Sequence, residues 1–481
     1  MSIPNDQVTE FRNASVAEVD AWQDDPGAGA NPVGGALVTR PTPNTEKGPF
    51  PTKIQGKPPI AKRYDRGSAE FRYWVAASAL RRASDFWGEI LPNGTWQTNV
   101  GPTLNVVLEE GVDLNAYYNR RTLSFFKDTV QGRTVYSAES PDIVCHEFGH
   151  AVLDAIRPQL WSTASYEPSA FHESFGDMSA ILTALGLPEM RMTVLHETDG
   201  RLNANSRLSR LAEQLGWAIR QRSPHSVDAD SLRNAANAFT YIPPLQLPAS
   251  GPASMLSREV HSHSRLFTGA FLDALAGMFA TERNRNEETL RAVSVTLGKL
   301  LVEAVRSAPI TARYFAQVAA QLVALAMEEN ESYGAAIQRA MSRRGILSAA
   351  SAFAITAGPQ KRAAFAAAVA APQPALKEVD LSDYGFSVPK IKVQAAAETS
   401  QFRALSFGAM YKAAEAALDD DGEESVFVAD LIHSDCLDGR EFAPPQRGIA
   451  PQTAPKTHYL EKVGGDVFLR RAFFDCVHVR R

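Results

Sequence analysis

The stretch SPDIVCHEFGHAVLDAIRP, residues 140–158, predicts a helix with both ends marked by local chemistry. Ser140 is a favourable N-cap, and Pro141 suits the first helical position. Asp142 places a negative charge beside the positive end of the helix dipole. Pro158 ends the helix because proline donates no backbone hydrogen bond.

Two histidines share one face of this predicted helix. His146 and His150 are four residues apart, so both imidazoles can reach one Zn²⁺ ion at ~2.0–2.1 Å. Glu147 lies between them and is placed to take a proton from water as a general base. The pattern is short, and a surface helix with two solvated histidines would show it as well.

A second predicted helix lies in EPSAFHESFGDMSAILTALGLP, residues 167–188. Glu173 and Asp177 are again four residues apart and share one face. Glu173 would complete a set of two histidines and one glutamate that leaves a catalytic zinc an open position for water. Asp177 would accept a hydrogen bond from the distal nitrogen of a ligand imidazole. The sequence therefore predicts Zn²⁺ held by His146, His150 and Glu173.

These two motifs resemble those of the thermolysin-like zinc metallopeptidases, the gluzincin group. They are HEFGH at 146–150 and HESFGD at 172–177, and NAYYN at 115–119 and VHSHS at 260–264 extend the resemblance. It covers roughly residues 100–346 and implies an α+β fold in two lobes. A mixed β/α N-lobe would precede a mainly helical C-lobe, with the active site between them.

The resemblance also implies how substrate binds. NAYYN would lie on an edge strand beside the active site, where an unpaired strand edge hydrogen-bonds an extended peptide. Asn115, Ala116 and Tyr117 are then the substrate-binding residues. The arginine that binds a substrate carbonyl would be Arg207 or Arg210, and the sequence does not choose between them.

In VHSHS, the resemblance assigns His261 to stabilisation of the oxyanion in the transition state. His261 and His263 would point to opposite sides of an extended segment, so only one can face the zinc. The helix that follows is predicted over Leu266–Ala280, with Ser264 as its N-cap.

Two positions limit how far the resemblance extends. The acid that precedes the family's transition-state histidine by five residues is replaced by Leu256, so His261 is expected to lack that orienting partner, although Glu259 is nearby. Asp142 matches a calcium-binding aspartate of the family. The region after Glu173 holds too few acids for the six to eight oxygen ligands of calcium, so a calcium site is not expected.

Composition excludes several function classes. The 481 residues include 49 Lys and Arg against 54 Asp and Glu, a net charge of −5, which argues against nucleic-acid binding. We find no apolar run near 18 residues, so no membrane span is expected. The first residues form no secretory signal, and three cysteines make no disulfide framework. These features favour a cytoplasmic protein, with non-classical export left open.

Changes in composition and residue pattern along the chain divide it into five regions. They are a poorly ordered Gly/Pro-rich arm (1–60), a mixed strand and helix lobe ending in the HEFGH helix (61–158), a helical lobe with the third zinc ligand and His261 (159–350), an Ala-rich helix and linker (351–374), and a C-terminal region (375–481). The last region has possible strands at 426–432 and 467–474. No function is assigned to it beyond a candidate role in binding a protein partner.

Together these features predict a zinc metallopeptidase, an endopeptidase that hydrolyses peptide or protein substrates with Glu147 as general base. One alternative is a catalytically weak or inactive protein of the same fold that acts as a binding module, which the Leu256 replacement favours. The other is a zinc aminopeptidase. That enzyme needs an acidic clamp for the free amine, and no such motif precedes His146.

Overall fold

The computed structural model describes residues 18–27, 37–348, 374–397, 422–442 and 456–477. These residues form a mixed α+β structure, as the sequence predicts. The helices are α1 (Ala69–Ile90), α2 (Pro141–Ile156), α3 (Tyr166–Ala184), α4 (Pro188–Thr198), α5 (Glu213–Arg222), α6 (Val260–Thr281), α7 (Glu287–Ser307), α8 (Tyr314–Glu329), α9 (Glu331–Arg343) and α10 (Glu423–His433). Among the described helices, none combines the length and apolar character that a membrane crossing requires.

Sixteen short strands accompany these helices in the described residues. They are β1 (Glu18–Trp22), β2 (Leu37–Pro41), β3 (Thr52–Ile54), β4 (Leu104–Val107), β5 (Ala116–Tyr118), β6 (Thr122–Phe125), β7 (Lys127–Val130), β8 (Arg133–Tyr136), β9 (Arg210–Leu211), β10 (Arg233–Asn234), β11 (Ala375–Asp380), β12 (Lys390–Ala395), β13 (Leu437–Asp438), β14 (His458–Val463), β15 (Asp466–Arg471) and β16 (Phe474–Asp475).

The first of two five-stranded sheets has the order β16-β5-β6-β4-β3. Strands β3, β4 and β6 run parallel, whereas β5 runs antiparallel to β6 and to β16. Leu104 and Val106 alternate with a more exposed residue along β4 and are fully buried. This alternation is typical of a strand with one face in the core.

The prediction of a poorly ordered arm over residues 1–60 is wrong for the parts that form β1, β2 and β3. Strand β3 belongs to the first sheet, where Thr52 pairs with Leu104. Strands β1 and β2 form an antiparallel hairpin, and Trp22 packs edge-on against Phe71 of α1. The described part of this region therefore contains regular strands. Residues 1–17 and the Ala-rich segment 351–373 lie outside the described residues.

Helices α2 and α3 cross closely enough that two glycines are required at their contact. A Cβ atom on Gly149 would lie 2.6 Å from the Cβ atom of Ser179 and 3.1 Å from the Cα atom of Gly176. The Ser179 hydroxyl donates a hydrogen bond to the Cys145 carbonyl (2.8 Å) and accepts one from the Trp87 indole (3.0 Å). A large core of buried apolar side chains surrounds this contact and continues from the first sheet into α6–α9.

Five strands between Ala375 and Arg471 build the second five-stranded sheet, with the order β11-β12-β15-β14-β13 and helix α10 beside it. The strand predicted at 426–432 is wrong, because this segment lies within α10. The sheet has its own apolar core, which also takes in Ala164 and Tyr166 from the start of α3. Trp161 and Arg471 join the two parts by reciprocal side-chain to backbone hydrogen bonds of 3.2 and 3.1 Å.

The close α2–α3 contact predicts a stability effect. Gly149→Ala should lower the free energy of unfolding by about 1–3 kcal/mol, since overpacking at a rigid contact outweighs the better helix propensity of alanine. Urea denaturation measures the change. Gly465→Ala is the control, because nothing lies within 4 Å of its added Cβ atom. Equal stabilities of the two variants would show that α2 and α3 have room to separate.

Candidate metal centre

Helix α2 begins as its sequence predicts. The Ser140 side chain accepts a hydrogen bond from the Ile143 amide, and Pro141 occupies the first turn. The helix places His146, Glu147 and His150 in the interior, each 3 % exposed or less. Each offers one ligand atom within 4.8 Å of the others, so this buried group is able to hold a metal ion.

Helix α3 brings Glu173 against both histidines. Its Oε2 atom lies 3.5 Å from Nε2 of His146, and its Oε1 atom lies 3.7 Å from Nε2 of His150. Two ligand atoms that are each ~2.1 Å from a tetrahedral ion lie roughly 3.4 Å apart. The observed spacing therefore fits one metal ion shared by His146, His150 and Glu173.

The same atoms lack hydrogen-bond partners among the described residues. Nε2 of His146, Nε2 of His150 and both carboxylate oxygens of Glu147 and Glu173 are buried and unbonded. Unpaired buried polar groups cost several kcal/mol in total, so native structures seldom gather them without a ligand. Their convergence fits a cation. Burial also raises the pKa of Glu147 well above its ordinary value.

Asp177 lies behind His146, as predicted. Nδ1 of His146 donates a hydrogen bond to Oδ1 of Asp177 (3.0 Å), which directs Nε2 toward Glu173. The Arg233 guanidinium donates to both oxygens of the same carboxylate, at 2.8 and 3.1 Å. Burial alone would raise the pKa of Asp177, but Arg233 and His146 lower it below its ordinary value. Asp177 therefore remains an anion that orients His146.

His150 has an equivalent partner that the sequence did not reveal. Its Nδ1 atom lies 2.8 Å from Nδ1 of His172 and donates to it when Nε2 faces a metal. Burial lowers the pKa of His172 well below its usual value, so this ring accepts as a neutral imidazole. His172 and Glu173 are adjacent in sequence and lie about 100° apart around the helix. Helical spacing therefore gave no reason to place both at the site.

Glu259 orients His261, although the sequence predicts that this partner is missing because Leu256 replaces the family's acid. Nδ1 of His261 donates to Oε1 of Glu259 at 2.7 Å, and Nε2 of His261 lies 3.4 Å from Oε2 of Glu173. Burial alone would lower the pKa of His261, but Glu173 and Glu259 raise it well above its ordinary value. The prediction of a missing partner is therefore wrong.

The prediction of an extended VHSHS segment is also wrong. Glu259 caps helix α6, which begins at Val260, and Ser264 lies inside that helix and donates to the His261 carbonyl at 2.8 Å. His263 nevertheless points elsewhere, stacked on Phe315 with ring centroids 5.2 Å apart. Burial lowers the pKa of His263 to about 3. Only His261 of the two faces the metal cluster.

The predicted substrate strand β5 is not an open edge. Strand β16 pairs with it, and we call residues 473–477 the cleft segment. The Cys476 amide donates to the Ala116 carbonyl at 3.0 Å. The Asn115 side-chain amide donates to Oδ2 of Asp475 (3.2 Å) and to the Val477 carbonyl (3.3 Å).

Tyr117 and Arg207 are also predicted to bind substrate. The Tyr117 ring contacts Phe473 of the cleft segment, with ring centroids 5.0 Å apart. The Arg207 guanidinium instead pairs with Asp24 (3.0 Å) and Glu197 (2.9 Å), so the assignment of Arg207 to substrate binding is wrong.

Arg233 also contacts the backbone of the cleft segment. Its Nη1 atom donates to the Cys476 carbonyl at 2.7 Å. It lies in the two-residue strand β10, which pairs with β9. A strand this short carries no sequence pattern of its own.

Comparisons with known proteins add no family assignment. No protein-family model matches the chain, and no curated protein matches it at a significant level. The functional argument therefore depends on the geometry of the site.

The contact between Asp177 and His146 predicts an effect on metal affinity. Asp177→Asn should weaken Zn²⁺ binding by roughly 10- to 100-fold, the usual effect of losing a group that orients a ligand histidine. Competition with a chelating dye measures this affinity. Asp273→Asn is a matched control, because Asp273 is also buried and accepts a hydrogen bond from Arg344 Nε at 2.7 Å. Equal affinities in the two variants would contradict the assigned role.

Proposed function

We propose that the protein is a zinc-dependent endopeptidase with a thermolysin-like arrangement of its site. One observation carries the proposal: the unbonded atoms of His146, His150, Glu147 and Glu173 converge beside a strand edge that pairs with extended polypeptide. A metal site alone would suit many reactions. Its combination with a backbone-binding strand favours hydrolysis of a peptide bond.

The donor set favours Zn²⁺. Two imidazole nitrogens and one carboxylate form a common catalytic zinc set, which keeps a further position open for water or substrate. Bound Zn²⁺ would supply Lewis acidity, which polarises a carbonyl oxygen and lowers the pKa of water. The hydrogen bonds from His146 to Asp177 and from His150 to His172 support this assignment, because each fixes the tautomer that a ligand histidine needs.

Glu147 is the proposed general base. Its two oxygens are buried and have no other partner among the described residues. In hydrolysis, the oxygen of water bonds to the peptide carbonyl carbon while Glu147 accepts a proton from the water. Glu147 then passes this proton to the amine nitrogen as the carbon–nitrogen bond breaks.

His261 and Arg233 are the proposed carbonyl-binding groups. Each already donates to a backbone carbonyl of the cleft segment, at 2.7 Å in both cases. His261 would stabilise negative charge on the carbonyl oxygen as water adds. Arg233 would hold the next carbonyl, and the Asn115 side chain and the Ala116 carbonyl would align the peptide.

The path of the cleft segment favours an endopeptidase over an aminopeptidase. Extended chain enters from Arg471 on one side and continues to Val477 on the other, so the cleft accommodates polypeptide on both sides of His261. The hydrogen bond from His261 to Glu259 also removes the feature that favoured an inactive binding module.

The proposed role of Glu147 predicts that its substitution affects catalysis and leaves zinc binding intact. Glu147→Gln should keep about one Zn²⁺ per chain and lose turnover by several orders of magnitude, because an amide accepts no proton from water. His146→Ala should lose most of the metal. Elemental analysis and digestion of a broad peptide library measure the two properties.

Glu167→Gln is the control for this experiment. Glu167 is a buried glutamate of α3 that accepts hydrogen bonds from Tyr241 and Phe315. Full zinc content with equal and measurable turnover in Glu147→Gln and Glu167→Gln would rule out Glu147 as the base. Wild-type protein without zinc would contradict the proposed function.

The two histidines of α6 predict different defects. His261→Ala should reduce kcat by roughly ten- to a thousandfold at saturating peptide, with zinc content unchanged, because it removes one donor to the carbonyl oxygen. His263→Ala should lower thermal stability through the lost stacking on Phe315 and leave kcat nearly unchanged. A larger loss of kcat in His263→Ala would reverse the assignment.

A further inference from the structure

Strand β16 joins the first sheet although it follows the last strand of the second sheet. Strand β15 ends at Arg471, and after two intervening residues Phe474 pairs with Tyr118 and Asp475 pairs with Tyr117. The chain therefore leaves its own sheet and adds a two-residue strand to the edge of β5. Addition of an extended segment to a free sheet edge is a common way to bind a peptide.

The backbone groups of Asp475 and Cys476 in this segment contact proposed substrate-binding groups. The Asp475 carbonyl accepts from Nε2 of His261 at 2.7 Å, and the Cys476 carbonyl accepts from Arg233 at 2.7 Å. Between these two carbonyls, the Cys476 amide donates to the Ala116 carbonyl at 3.0 Å. The peptide bond between Asp475 and Cys476 thus has its carbonyl at the proposed oxyanion donor.

Side chains hold the segment on both sides of that bond. The Phe474 ring stacks on His172 with centroids 3.8 Å apart, and the Arg471 guanidinium lies 4.0 Å from the Phe474 ring centroid. The Asn115 amide bridges the Asp475 carboxylate and the Val477 carbonyl.

The segment also divides the cleft. A cavity of about 250 Å³ has Cys476 and Val477 in its wall, and one of about 70 Å³ has Phe474 and Asp475 in its wall. Glu259 and His261 line both cavities. Glu173 lines the smaller cavity, and residues of the cleft segment form part of the wall of both.

We infer that the cleft segment is an internal pseudosubstrate: residues 473–477 occupy the peptide-binding groove with the Asp475–Cys476 bond in the place of a scissile bond, and the enzyme is active toward other peptides only when this segment leaves. The consequence of this occupancy is self-inhibition, and that consequence rests on the proposed function. The occupancy of the groove does not depend on catalysis. Only two residues pair with β5, so displacement breaks few backbone hydrogen bonds.

Substitution of Cys476 should weaken the binding of the cleft segment without altering the metal cluster or the groove. Cys476→Pro removes the amide that donates to Ala116, whereas Cys476→Ala keeps it and changes only the side chain. Loss of this hydrogen bond should raise the open fraction roughly 3- to 10-fold. Each variant is made in the full chain, loaded with zinc, and checked by intact mass to be uncut.

Binding and hydrolysis are then measured separately. The binding probe is a fluorescent peptide with the sequence RAFFDCV, residues 471–477, and binding is measured in the Glu147→Gln background so that no hydrolysis occurs. Cys476→Pro should bind it 3- to 10-fold more tightly than Cys476→Ala. With Glu147 present, Cys476→Pro should hydrolyse library peptides with a higher initial velocity by a similar factor.

The outcomes separate the two proposals. Tighter probe binding by Cys476→Pro without hydrolysis by any variant would keep the pseudosubstrate and overturn the peptidase. Equal probe binding and equal hydrolysis by both variants would overturn the pseudosubstrate and keep the peptidase. Hydrogen exchange gives a third reading, because residues 473–477 should exchange faster in Cys476→Pro than in Cys476→Ala.

Discussion

Two carboxylates and two imidazoles meet in the interior of this protein with buried atoms that lack hydrogen-bond partners among the described residues, and a cation is able to compensate their charge. Glu147 and Glu173 are each 1 % exposed or less. Such groups destabilise a fold unless opposite charge compensates them. The rest of the site follows from this need. Glycines let α2 and α3 approach, and Asp177 and His172 fix the two histidine rings from behind.

The two sides of the site balance charge with different pairs of residues. On one side, the Arg233 guanidinium neutralises Asp177 and still has a donor left for a backbone carbonyl. On the other side, Glu259 keeps His261 oriented with Nε2 toward a second carbonyl. Under the proposed function, a bound peptide would meet two cationic donors, each held by a carboxylate. This preorganisation suits stabilisation of an oxyanion, because the donors need not reorient during reaction.

The second sheet explains how a distant part of the chain reaches the groove. Residues 161 and 471 exchange backbone hydrogen bonds, and Asp430 of α10 accepts from the Arg258 guanidinium and the Tyr166 hydroxyl. These contacts fix the end of β15 beside the metal cluster. The next residues then have only a short path to the edge of β5. The region without an assigned function in the sequence thus acts, under our proposal, as the carrier of a pseudosubstrate.

The sequence by itself determined the two residue pairs of the metal cluster, because the geometry of each pair is local to one helix. Spacing of four residues on a helix places His146 with His150, and Glu173 with Asp177, whatever the surrounding fold. Only the tertiary structure decided the roles of Arg233, Glu259 and the cleft segment. The role of each depends on contacts between residues far apart in sequence or on where a helix begins. Such contacts and boundaries leave no periodic pattern in the sequence. The pairing of the β5 edge with the cleft segment is the clearest case, since 360 residues separate Asn115 from the aspartate it binds.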